Sequence, residues 1–192
     1  MLFKTRVYQF ANKVYKTKGG IWALGMVVPK HNNVLGILRE DGVNPILIPA
    51  HNIVTNDGDT YYAQRMAAGG GESPTQTFNT HELQTAGTPG KTSNRSNFTA
   101  YGSSTKTNSS GYPKTNDADS DNTGAGVDIC THLADYAKGD TVNSGTISHG
   151  IITNPTPGAS EVILTGYAFA AGFSKTSNDT LKVFVNHEAL GV

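Results

Sequence analysis

The sequence predicts a mainly β fold: an antiparallel β-sandwich or jelly-roll-like domain with long loops, one short helix and an N-terminal arm. Three observations lead there. Charged residues make up 16% of the 192 positions, below the roughly 25% usual for globular domains, and Gly, Asn, Thr and Ser fill the gap. Near the C-terminus apolar residues alternate, with Val162 and Leu164 on one face and Leu181, Val183 and Val185 on another, as period-two strands require. Turn residues recur about every ten positions, the rhythm of sandwiches.

The chain divides into an N-terminal arm with leading strands, residues 1–50, and a β-rich body, residues 51–192, with a long polar loop region over 72–122. In the arm, Phe3, Val7, Phe10 and Val14 fall at spacings of four, three and four, which predicts an amphipathic helix within residues 1–20. Lys4, Arg6, Lys13, Lys16 and Lys18 fill its other face, and no acid follows until Glu40. The segments "IWALGMVVPK" and "VLGILRE" read as strands. "ILI" (46–48) reads as a third, stopped by Pro49.

Residues 55–68 predict the one helix of the body. Thr55 or Asn56 caps it, Asp57 and Asp59 suit the positive end of its dipole, Tyr62, Ala63 and Met66 share a face, and Gly69 to Gly71 stop it. From Glu72 to Asn122 the chain is polar, a set of irregular loops and edge strands with Phe78 and Leu83 as anchors. After it, "GVDICTHLADY", "TISHGIITN", "SEVILTGYAFAAGF" and "DTLKVFVNHEAL" read as strands, the last two joined hairpin-fashion by residues 174–179.

Composition also bounds function. Fifteen basic and 15 acidic residues give zero net charge, so direct nucleic-acid binding is not expected. No apolar run approaches the roughly 18 residues of a membrane span, and the start lacks a secretory signal pattern. One cysteine, Cys130, permits no intrachain disulfide.

"NDADSDNTGAGVD" (116–128) places Asp117, Asp119, Asp121 and Asp128 at positions 1, 3, 5 and 12 of a calcium-type loop. Against that reading, Asn122 stands where such loops have Gly, Asp128 is shorter than the usual Glu, and "SSGYPKTN" cannot supply an entering helix. The residues favour a polar Asx-turn loop, with a structural Ca²⁺, held between subunits, as the alternative. No other cofactor is expected. The six histidines form no H-x-x-x-H pair, and "GTPGKTS" (87–93) lacks the spacing of a phosphate loop. Cys130 and His132 share a strand face without an orienting third group. The expectation is a non-enzyme.

"HNIVTNDGDTYYAQRMA", "GYPKTNDADSDNTGAGVD" and "KTSNDTLKVFVNH" resemble segments of small virion structural proteins of tailed bacteriophages. The resemblance spans residues 51–192 and rests on style and spacing. It implies a virion location, a homo-oligomer (a trimer favoured), and partners among the major capsid protein or other virion subunits. It implies most directly a capsid decoration or cement protein. A head–tail adaptor, neck or tail-tube component is the second reading, and a host- or glycan-binding module the third. In the first, Phe3, Val7, Phe10, Val14 and Trp22 anchor the arm on a neighbour.

Overall fold

"VLGIL" is apolar at every position, the mark of a strand buried on both faces, and it becomes an interior strand of the main sheet with both faces covered. The computed structural model describes residues 6–10, 13–17, 27–28, 34–39, 46–67, 77–110, 129–140, 145–154 and 162–188. They form eleven strands, one α-helix and one 3-10 turn.

The arm forms strands β1 (Arg6–Phe10), β2 (Lys13–Thr17) and β3 (Val27–Val28), arranged β2-β1-β3 as a sheet of their own. The helix expected over residues 1–20 is therefore corrected to an antiparallel pair, with Tyr8 opposite Tyr15 and Gln9 opposite Val14. Val7, Tyr8, Phe10, Val14 and Tyr15 are β-branched or aromatic types that favour strands, and this preference outweighs the helical spacing.

The body is one antiparallel eight-stranded sheet. Its strands are β4 (Val34–Arg39), β5 (Ile46–Val54), β6 (Thr80–Gly87), β7 (Phe98–Thr107), β8 (Ile129–Tyr136), β9 (Ile147–Thr153), β10 (Ile163–Phe173) and β11 (Thr180–Glu188). Their order is β7-β6-β9-β10-β5-β4-β11-β8. The sheet curls until its edges meet: the Ser109 amide of the β7 end donates to Leu133 O of β8 at 2.7 Å. The mainly antiparallel, sandwich-like class read from the sequence is the one observed.

Three local readings need correction. β5 runs through Pro49, which pairs with Leu35 of β4. The Thr55 amide bonds Leu164 O of β10, so by alternation a Pro49 N–H would point to the β10 side, where pairing has already ended at Ala50–Phe169. No ladder bond is lost. β10 and β11 form no hairpin, because β5 and β4 lie between them. Residues 174–179 cross that gap, tightened by Asp179, whose carboxylate accepts from the Thr176 amide at 2.6 Å. Finally, β6, inside the region read as loops and edge strands, lies between β7 and β9.

Inside the curl, Val34, Leu38, Leu83, Ile147, Ile152, Leu164, Leu181, Val183 and Val185 form the core. Each large aliphatic buried there contributes roughly 1.5–3 kcal/mol. Phe78 and Leu83 are buried as anchors, as the sequence suggests. On the opposite face Phe98 covers Ile151 and Ile163. Leu35, Ile37, Leu133 and Phe184, on the other side of their strands from the core residues, are buried too.

The helix α1 (Asn56–Ala67) is capped by Thr55, whose Oγ1 accepts from the Gly58 amide at 3.0 Å and donates to Ile163 O. A Cβ on Gly58 would sit 2.3 Å from Leu164 O, so glycine is what lets the helix start rest on β10. Tyr61 and Tyr62 pack against the core. Ala63, expected on that face, is exposed. No helix among the described residues is long and apolar enough to cross a membrane.

Candidate functional site

The chemistry-bearing residues gather where the sheet edges meet. His81 of β6, Tyr101 and Ser104 of β7, His132 and Tyr136 of β8, and His187 of β11 are all buried. The sheet brings them together from positions far apart in the chain.

The first half of this group is a hydrogen-bonded chain. Tyr167 Oη lies 2.5 Å from His81 Nε2. His81 Nδ1 lies 2.7 Å from Tyr136 Oη, and Tyr136 O–H donates to Ser104 O at 3.0 Å. One arrangement satisfies every group. Tyr136 spends its proton on Ser104 O, so His81 Nδ1–H donates to Tyr136 and Nε2 accepts from Tyr167. The ring is then a neutral imidazole protonated at Nδ1. A second proton on His81 would meet the Tyr167 O–H head on. Burial, with His132 nearby, holds the His81 pKa down to about 3.

The second half holds Tyr62, Asn108, Cys130, His132 and His187. Tyr62 Oη of α1 bonds His187 Nδ1. Asn108 Nδ2 lies 3.1 Å from His132 Nδ1, and Cys130 Sγ lies 3.7 Å from His132 Nε2. A neutral His132 accepts from the amide and points Nε2–H at the sulfur. The His132 and His187 rings meet edge to face at 5.7 Å. Burial lowers His132 to about 4, and burial with His132 nearby lowers His187 to about 3. Burial also raises the Cys130 thiol to about 11, the state of an inert thiol rather than a nucleophile. Burial raises Tyr62, Tyr136 and Tyr167 as well. His187 Nε2 and Asn108 Oδ1 are buried without partners.

The histidines thus act as neutral structural links. Among the described residues no group of three His, Cys, Asp or Glu side chains has an arrangement that holds a metal. Asp117, Asp119, Asp121 and Asp128 lie outside the described residues, as do Phe3 and Trp22. Val7 and Phe10 fall in β1 and Val14 in β2. Lys91 of the "GTPGKTS" stretch pairs with Asp59 at 2.6 Å. Cys130 and His132 do share a face, as expected. What the sequence did not reveal is that His81, Tyr62 and His187 join them, because each is supplied by a different element. No family model matches the chain, and comparison with curated proteins and with solved structures gives no match.

Proposed function

We propose that the chain is a non-enzymatic virion structural protein, a decoration or cement subunit that binds and stabilises the major capsid lattice. The observation that carries this reading is the arm. Strands β1, β2 and β3 form a three-stranded sheet that shares no strand pair with the body among the described residues. Its charge is one-sided: six of the 15 basic residues and none of the 15 acidic ones precede His31, leaving nine basic against 15 acidic in the rest. A basic arm on an acidic body suits a subunit that reaches onto a neighbour. The buried polar groups of the body fit the same reading, since their hydrogen bonds stiffen the fold.

The test is the solution mass of the full chain by light scattering at low and high salt, with co-sedimentation on tailed-phage capsid shells. A discrete oligomer, weakened by salt or by the full-chain variant K13E/K16E/K18E, that sediments with the shells supports the proposal. A monomer that ignores shells contradicts it, and sedimentation with isolated necks or tails moves the protein to that part of the virion.

A further inference from the structure

We propose that the seam between β7 and β8 is an acid-operated closure: protonation of the histidines that line it opens the curled sheet there while the central strands stay paired.

Four bonds close the seam. The Ser109 amide donates to Leu133 O, Tyr136 Oη donates to Ser104 O, Asn108 Nδ2 donates to His132 Nδ1, and His81 Nδ1 holds Tyr136 Oη in place. One of the four, the Asn108–His132 bond, needs an unprotonated imidazole nitrogen; a proton added to His81 leaves its Nδ1–H bond to Tyr136 in place and sets Nε2–H against the Tyr167 O–H behind it. A proton on His132 Nδ1 would face the Asn108 amide protons. A flip of that amide restores one bond through Oδ1 but leaves the charge without a counter-ion.

The titratable neighbours offer none. Around the rings stand Tyr62 of α1, Cys130 and Tyr136 of β8, His187 of β11, His81 of β6 and Tyr167 of β10. All are neutral or, once protonated, positive. Two carboxylates, Glu82 and Asp140, act on Tyr136, and none is among the groups that shift the three histidines. Glu82 is already tied to Arg95 at 3.2 Å and Asp140 to Lys106 at 2.7 Å. The β5–β10 ladder, by contrast, pairs Val54 to Ala50 with Thr165 to Phe169, and the aliphatic neighbours Ile48, Ala50 and Leu164 line the core beside it. Of the ladder residues only Tyr167 meets a histidine, through its side-chain hydroxyl and not its backbone pairing, so acid acts chiefly on the seam side of the curl. Opening uncovers the outer edges of β7 and β8, which pair with no other strand, as strand templates.

The test is amide hydrogen exchange of the full chain from pH 7 to pH 4.5, corrected for intrinsic rates. Ser109 should lose protection by up to about tenfold per pH unit for each histidine that protonates on opening, while amides of the β5–β10 ladder hold. The variant Asn108→Asp, close to isosteric, gives His132 a counter-charge, and its Ser109 protection should persist to lower pH. A carbon-detected titration of the histidine rings is the independent check. The proposal falls if Ser109 and the ladder lose protection together, if Ser109 stays protected to pH 4.5, if Asn108→Asp opens at the wild-type pH, or if His81 and His132 titrate near 6.5.

Discussion

The two sides of the curled interior are buried to the same degree and held by different forces. Around β5, β9 and β10 the contacts are apolar apart from the Tyr167 hydroxyl, which reaches from β10 to His81: Ile152 and Leu164 are fully buried and Ile48 nearly so. At the seam, Tyr136, Tyr167 and His81 are just as buried but are joined by hydrogen bonds whose direction depends on where each proton sits. Burial of aliphatic surface responds little to pH. Burial of a neutral imidazole responds strongly, because the unfolded chain takes up protons that the native state refuses. Equal burial is thus not equal robustness.

Substitutions separate the two sides, here from the largest expected effect to the smallest. Leu164→Ala removes core volume beside β5 and should cost about 2–5 kcal/mol. Chemical denaturation should show the same loss at pH 7 and pH 5.5; a loss that changes with pH would erase the distinction. Gly150→Ala puts a methyl 2.0 Å from Tyr167 Oη and should cost about 3 kcal/mol, with the Tyr167–His81 bond broken. Tyr136→Phe leaves Ser104 O and His81 Nδ1–H unpaired at the seam, a loss of about 1–2 kcal/mol in thermal or urea unfolding at pH 7. Lys91→Ala breaks a pair whose side chains are more than half exposed, and should change stability by under about 1 kcal/mol.

The aliphatic core was legible in the sequence and the polar seam was not. Leu181, Val183 and Val185 alternate within one strand, so a local pattern announces their shared face. Thr55 before two early acids announces a helix start in the same way. Pairing across the sheet leaves no such local mark: residues 174–179 look like a hairpin, yet β10 and β11 are held apart by β5 and β4. The arm shows the reverse failure, where a local spacing of Phe3, Val7, Phe10 and Val14 suggested a helix and residue type together with strand pairing decided otherwise. His81, His132 and His187 sit far apart in sequence, and each alone reads as an ordinary buried histidine. Only the curl of the sheet brings His132 close to both of the others.

The most direct measurement is equilibrium urea unfolding of the full chain between pH 7.5 and pH 4.5, where unfolded histidines take up protons ahead of most carboxylates. The three buried histidines have native values depressed to about 3 or 4 against about 6.5 when unfolded. Stability is therefore full above pH 6.5 and falls as pH drops toward 4, by upwards of ~1 kcal/mol per pH unit for each ring. His149, lowered less by partial burial, adds to the same slope. A slope approaching three protons is the expected result. A flat profile to pH 4.5 would mean that the histidines are not held neutral, and the difference between the two sides of the interior would disappear.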